Sequence, residues 1–397
     1  MVLWLLAVLQ VAAALRAPAQ RVVVLGGSGR IGTACAIHLL TRRPELEIVL
    51  VGRDEARGRR AVAEVAGEAG GARCDFVALD YRDVAAAGAA FDGAAAVVHV
   101  AGPFDGDGAL APLAATISAG VPVYVDVSDP IAYIEGARGA ARGATAALLC
   151  AGAFPGLSNV LAVEAAALLP APIRDLNFSY FTAGLGGSGA VNLDITNYGF
   201  GGPTPRFVDG APADSEDFAG TDQGTARFAV SGEREVWAWP FPEARTVAAA
   251  LGVRGTSRAA MGTAPAAWNG MLRLLVALVP RSWWLSERFS GGMARFSEPL
   301  VRVTDAFVGE DHAMRIDVTD VDGGAAVALQ SHASFRRCVG QSVAEFALDL
   351  LAEPPAPGVY LPEELYADAA RRETVLAALT ATPGTTAFSV LKTGAPA

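Results

Sequence analysis

Short runs of valine, leucine and isoleucine alternate along the chain with longer stretches whose apolar residues recur every three or four positions. Arg21–Leu25, Glu47–Val51, Ala72–Leu79, Val97–Ala101, Val121–Val125 and Ala146–Cys150 have strand length, several of them apolar throughout, as strands covered on both faces require. Thr33–Arg43 and Gly108–Ser118 between them carry helical spacing. Repeated strand–helix units predict an α/β domain with a doubly wound parallel sheet of Rossmann type. Beyond Pro155, which suits a helix start, the pattern changes. It predicts a helix to about Leu169, a strand over Leu176–Thr182, and a largely apolar helix in Thr263–Pro280. Two strands follow, over Arg302–Val308 and His312–Val318, then a turn at Asp322-Gly323-Gly324 into a strand over Ala325–Ser334. This reads as a second α+β domain with a largely antiparallel sheet forming the floor of a substrate cleft. Arg206–Gly224 reads as a long surface loop. Ala183–Gly189 reads either as a loop that closes over substrate or as a turn needing positive φ. The expected division is 1–20 a targeting segment, 21–156 a nucleotide-binding domain, 157–340 a substrate and dimerisation domain, and 341–397 a closing helix and tail.

Composition changes this picture in a few places. The 397 residues are 52% hydrophobic and 18% charged, enough to bury two cores, and the net charge is −10. That acidity argues against nucleic acid, which needs a basic face. The only lysine is Lys392, so a Schiff-base lysine in the body of the chain is excluded. Cys35, Cys74, Cys150 and Cys338 are far apart and suggest buried thiols rather than a metal site. Val2–Leu15 is an apolar run too short to span a bilayer comfortably. It reads as a signal-like segment leading to the secretory pathway or an organelle, with a membrane anchor as the alternative. Trp268, Trp283 and Trp284 near the apolar helix leave contact with a membrane surface open.

The chemistry concentrates in GGSGRIG, Gly26–Gly32, which follows the first strand and opens the first helix. Gly27, Gly29 and Gly32 form the GxGxxG pattern of dinucleotide binding, and Ser28, Arg30 and Ile31 lie within the turn and helix start that would receive a pyrophosphate. Arg53 stands 21 residues after Gly32, where a carboxylate reads the ribose of NAD. A guanidinium there instead offers donors to a 2′-phosphate, so NADP(H) is expected over NAD(H). Ligands of such sheets sit beyond the C-terminal strand ends. This places Asp80 near the adenine edge and Ala101, Gly102 and Pro103 near the nicotinamide ribose. His99, inside a strand, reads as a core residue, and His312 and His332 read as structural before catalytic.

The combination VVVLGGSGRIG, LVGRD, VVHVAGPF, VPVYVDVSD and AGAFPGLSNV resembles the saccharopine dehydrogenase-like oxidoreductases, in particular the plant and algal proteins with a saccharopine dehydrogenase NADP-binding domain. The resemblance implies a Rossmann domain, a second α/β domain and NADP(H), with Gly27, Gly29, Gly32 and Arg53 at nucleotide-contact positions and Gly102-Pro103-Phe104 as the loop after the fourth strand. It does not specify a reaction. Phe104, Tyr124, Asp126, Ser158, Asn159 and Tyr180 are the side chains best placed to touch a small-molecule substrate, though Ser158 and Asn159 fit helix capping equally well. No Ser-His-Asp order, HExxH or carboxylate pair stands out, which suits hydride transfer carried by a cofactor. The expectation is an NADP(H)-dependent oxidoreductase acting on a small substrate such as an imine or secondary amine, with no general acid assigned and a homodimer left open. The rival is a non-catalytic NADP(H)-binding sensor or scaffold.

Overall fold

The computed structural model describes residues 20–70, 73–106, 108–140, 143–184, 190–218 and 223–394. The targeting segment and most of the glycine-rich stretch after Ala183 lie outside these residues. The first sheet is built from β1 (Arg21–Leu25), β2 (Glu47–Gly52), β3 (Cys74–Ala78), β4 (Ala96–His99), β5 (Val123–Asp126), β6 (Ala146–Leu148) and β15 (Gly358–Tyr360). Its order is β15-β6-β5-β4-β1-β2-β3 and every pairing is parallel. The chain reverses direction across the sheet between β1 and β4, and a crevice opens at the carboxyl ends on either side of such a switch.

Both faces of this sheet are covered. Side chains alternate along a strand, so Val22 and Val24 enter one core while Val23 and Leu25 enter the other. The helices are α1 (Arg30–Arg42), α2 (Glu55–Glu68), α3 (Val84–Phe91), α4 (Ala111–Ser118) and α5 (Ile131–Ala140). Cys35 and Leu39 of α1 and Val65 of α2 fill the first core, and Phe91, Leu113 and Ile134 of the next three helices fill the second.

The second sheet has nine strands. Its main path runs β10 (Gln223–Phe228), β11 (Gly232–Ala238), β12 (Ser257–Thr263), β7 (Ile173–Ala183), β13 (Asp311–Asp320), β14 (Ala325–His332) and β16 (Thr385–Thr393). The pair β8 (Pro203–Val208) and β9 (Ala211–Phe218) branches from β12. All neighbours are antiparallel except β7 and β12. Leu176, Phe178 and Tyr180 on β7 lie beside Val318, Ile316 and Met314 on β13, and together they cover α6 (Leu157–Ala167). That helix is buried along nearly its whole length. With α12 (Phe335–Ala352) it joins one face of the first sheet to one face of the second in a continuous core. The remaining helices are α7 (Ala190–Gly199), α8 (Glu243–Leu251), α9 (Ala266–Leu278), α10 (Arg281–Trp284), α11 (Glu287–Val308), α13 (Pro362–Leu365) and α14 (Ala369–Thr380).

Three expectations need correction. Arg302–Val308 is not a strand but the last two turns of the 22-residue α11. Its valines are β-branched, but Phe296, Leu300, Val303 and Phe307 carry the helical period across the whole segment, and that period outweighs local propensity. Within the expected loop Arg206–Gly224, the described residues to Phe218 are not a loop: β8 and β9 form a hairpin across Asp209-Gly210, both with positive φ, the two-residue turn that matches strand twist. The stretch expected as a closing helix and tail enters both sheets. β15 adds a strand to the first sheet beside β6, and β16 closes the second beside β14.

Candidate functional site

The glycine loop is tight for packing reasons. A side-chain carbon on Gly32 would lie 2.4 Å from the Gly26 carbonyl oxygen, and one on Gly27 would lie 2.7 Å from Leu50 of β2. Only hydrogen fits at either place, so α1 starts hard against the sheet. Gly29 is the N-cap and brings no side-chain acceptor. The first intrahelical bond runs from the Thr33 N–H to the Gly29 carbonyl, leaving the N–H groups of Arg30, Ile31 and Gly32 directed out of the helix end. Such an end attracts phosphate through both donors and dipole. The loop also touches the segment after β4: a side chain on Gly26 would meet Ala101 at 2.9 Å. The expected cofactor residues on either side of the switch point are therefore in contact.

Arg53 follows β2 directly and is exposed. The neighbouring Asp54 does not compete with it for a ligand. Its carboxylate caps α2 by accepting the Arg57 N–H at 2.9 Å, a bond that also lowers its pKa. Arg59 pairs with Glu55. Asp80, exposed beyond β3, accepts the Arg82 N–H at 3.1 Å, so one of its oxygens serves its own turn.

Beyond β4 and β5 lies a buried polar network. His99 Nε2 contacts the Ala101 carbonyl at 3.1 Å, so that nitrogen carries the proton; Nδ1 then accepts from the Tyr124 hydroxyl at 2.8 Å. Tyr124 meets the Tyr133 hydroxyl at 3.1 Å, and Tyr133 meets Asp126 Oδ2 at 2.9 Å. With Asp126 ionised, Tyr133 donates to it and the Tyr124–Tyr133 link has no proton. With Asp126 protonated, every link from its carboxyl to the Ala101 carbonyl is filled. Burial raises the Asp126 carboxyl to about 6 against the Ser128, Tyr133 and Cys150 hydrogen bonds that lower it, so the filled chain is the state below about pH 6. Burial also drops His99 to about 3, keeping it neutral. Tyr124 and Asp126, expected to touch substrate, thus lie behind the cleft surface and fix the strand ends. Phe104 is likewise buried, against His99 and Tyr133.

The segment after β6 forms the opposite wall. Gly156 has φ 133 and a side chain there would fall 2.1 Å from the Gly152 carbonyl oxygen; this turn aims α6 into the core. Asn159 Oδ1 accepts the Gly156 N–H at 2.9 Å and the Ser158 hydroxyl at 3.1 Å, while its Nδ2 donates to Glu363 at 2.7 Å. Ser158 and Asn159 therefore hold the helix start. Phe154 stacks on Tyr180 at 4.3 Å and on His312 at 5.1 Å. The Tyr180 hydroxyl donates to Glu243 at the start of α8. His332 accepts the Ser334 N–H on Nδ1 and donates from Nε2 to Gln341 and the Pro383 carbonyl, a structural role. His312 is wholly buried, and burial lowers it to about 3.

The sequence reading missed a set of carboxylates here: Asp105, Asp129 and Asp194 are half-buried, and Glu243 and Glu363 lie inside, as deep as Tyr124 and Asp126. Burial raises Asp105, and Glu287 across from it adds to the rise. Asp129 is raised to about 6 by burial and then by Asp105 and Asp126. Asp194 is raised by burial, then by Asp105 and Glu287, with Arg295 opposing. Glu243 is raised to about 8, chiefly by burial, with Glu363 and Asp129 contributing. Glu243 Oε2 meets no hydrogen-bond donor, while the Thr246 and Asn159 side chains offset part of the burial that raises Glu363. Among the described residues none of Asp105, Asp129, Glu243 and Glu363 forms an ion pair. The only signal in the sequence was a Glu soon after a proline, Pro242-Glu243 and Pro362-Glu363, which reads as an ordinary solvated helix start.

Residues 22–147 match the saccharopine dehydrogenase NADP binding domain family. Over nearly the whole chain the fold is similar to saccharopine dehydrogenase (L-Glu forming) from Saccharomyces cerevisiae, with TM-score 0.63, 11% identity, and coverage of 94% of this chain and 100% of that one. A short-chain type dehydrogenase/reductase from Mycobacterium ulcerans aligns over 28% of this chain and 51% of its own at 20% identity, with TM-score 0.24, too low to bear on the reading. No curated protein matches the sequence.

Proposed function

We propose that this saccharopine dehydrogenase-like oxidoreductase transfers hydride between NADP(H) and the carbon of a C–N bond in a small cationic amine or iminium substrate. The cofactor fits the residues present. The side-chain-free cradle at Gly27 and Gly32, the open first turn of α1 and the exposed Arg53 suit a pyrophosphate and a 2′-phosphate respectively. The nicotinamide, when bound, supplies or accepts the hydride. The chain's own residues orient and balance charge. The Gly26–Ala101 contact and the His99–Tyr124–Tyr133–Asp126 network fix the loop after β4, and the Phe154–Tyr180 stack fixes the facing wall.

The observation that carries the substrate reading is that, among the described residues, Asp105, Asp129, Glu243 and Glu363 form no ion pair, above all Glu243 with its orphaned Oε2. A buried carboxyl without a counter-charge keeps its proton, and a cationic nitrogen bound beside it would favour the ionised form. Steady-state NADPH oxidation and NADP⁺ reduction against amines, imines, enones and keto acids tests this. Turnover confined to amines and imines is expected. Comparable kcat/KM on neutral or anionic substrates would overturn the substrate class, and tight NADPH binding with no turnover would favour the sensor reading. Arg53→Asp should reduce the NADPH/NADH affinity ratio at least tenfold; an unchanged ratio would refute the phosphate role of Arg53.

A further inference from the structure

The helix α11 is amphipathic the wrong way round for a surface helix. Its buried residues are Ser290 and Ala294, and Ser290 faces α7, where its carbonyl accepts the Asn197 side chain at 3.2 Å. Its large apolar residues face water: Phe296 is 78% exposed, Leu300 54%, Val303 59% and Phe307 87%. They follow one another at intervals of four, three and four residues and so form a single stripe. At ~100° per residue the stripe lies roughly 180–240° round from Ala294, directly away from the body of the protein. With a phenylalanine at about 200 Å², Phe296 and Phe307 alone leave about 300 Å² of ring in water. That equals the largest apolar patch of many monomers before Leu300 and Val303 are counted. On α9, Met271, Leu274 and Leu278 also face outward, while Leu272, Leu275 and Val276 pack inward around Trp284. Trp283 next to Trp284 is exposed.

We propose that the α11 stripe docks on an anionic phospholipid membrane surface, with the helix axis lying in the interfacial plane. Charge is the first argument. Arg288, Arg295 and Arg302, seven residues apart, form one exposed row along the flank of the stripe, with Arg302 also bonded to Glu298 at 2.6 Å; from there long side chains reach headgroup phosphates while the aromatic face enters the acyl boundary. Residues 266–308 carry five arginines against Glu287, Glu298 and Asp305, in a chain whose net charge is −10. Shape is the second. The stripe is a convex ridge, which a second copy would have to meet stripe to stripe. The groove over the outer face of the second sheet of this chain is polar, lined by residues such as Arg174, Asp175, Arg227, Glu233 and Arg315, and offers a second copy no complementary seat. A fluid bilayer conforms to a ridge. No helix among the described residues is long and apolar enough to cross a membrane, so the contact is peripheral. Because Glu287 at the start of α11 faces Asp105 at the cleft, docking sets the cleft beside the interface.

The full chain and its Phe296→Gln/Phe307→Gln variant are compared by flotation with phosphatidylcholine vesicles carrying about a third phosphatidylserine. Both positions are exposed, so the fold is retained, which circular dichroism and NADPH binding check. The expected result is at least a tenfold loss of vesicle partitioning in the variant. A second variant, Arg288→Gln/Arg295→Gln/Arg302→Gln, should lose binding to the anionic vesicles and retain whatever binding the full chain shows to pure phosphatidylcholine. Equal flotation of the full chain and the phenylalanine variant overturns the proposal. So does a wild-type dimer in sedimentation that the phenylalanine variant converts to monomer while vesicle binding stays the same; the stripe is then a self-interface.

Discussion

Glu243→Gln should make the protein progressively more stable, relative to wild type, as pH rises. The Glu243 side chain is fully buried, its Oε1 accepts the Tyr180 hydroxyl, and its Oε2 meets no donor. Burial lifts its carboxyl from 4.5 to about 8, the Tyr180 bond opposes the rise, and Glu363 and Asp129 add to it. At ~1.4 kcal/mol per unit, a rise of about 3.5 units corresponds to roughly 5 kcal/mol. The sign follows from which state holds the proton. Below pH 4.5 the folded and unfolded chains are both protonated at this position and it costs nothing. Between 4.5 and 8 the unfolded chain ionises while the folded one retains its proton, so stability falls with pH; above 8 the loss is complete. Glutamine keeps the Tyr180 acceptor and has no proton to lose. Urea unfolding of both proteins at pH 5 and pH 9 gives the change in their stability gap, which cancels the similar contributions of Asp126, Asp129 and Glu363. The gap should widen by several kcal/mol in favour of the variant. Parallel profiles, with the gap changing by less than about 1 kcal/mol, a small fraction of the expected shift, would mean that Glu243 ionises in the folded protein as it does in water. The argument for an uncompensated buried carboxyl would then fail.

Gly32→Ala puts a carbon 2.4 Å from the Gly26 carbonyl oxygen and should weaken NADPH binding at least a hundredfold by calorimetry; undiminished affinity would remove α1 as the phosphate cradle. Asp126→Asn should be tolerated, because an amide N–H can donate to Tyr133 as the protonated carboxyl does, whereas Tyr133→Phe breaks the buried chain and should cost about 1–3 kcal/mol. Equal losses in urea unfolding would show that Asp126 is needed ionised. Phe154→Ala removes the ring between Tyr180 and His312 and should destabilise by about 3–5 kcal/mol; a cost below 1 kcal/mol would mean that the two domains do not meet there.

How far the sequence could be read depended on the range over which each feature is determined. The nucleotide-binding half was legible because its signals are local. Val22–Val24 must be covered on both faces, and Gly27, Gly29 and Gly32 sit at fixed offsets from that strand. The hairpin at Asp209-Gly210 was equally local and was passed over because the polar residues around it suggested a loop. The α11 error arose from reading Arg302–Val308 without Phe296 and Leu300, which complete its helical period. The buried acids were of another kind. Glu243 lies 63 residues from Tyr180, and Glu363 lies 204 from Asn159, so no window of sequence shows that either is buried. Burial turns each from a solvated helix start into a carboxyl without a counter-ion. The same folding step that hides these groups sets their charge state: the glycine loop is readable in sequence, while the proposed charge preference for the substrate rests on α8 and α13 closing over Tyr180 and Asn159.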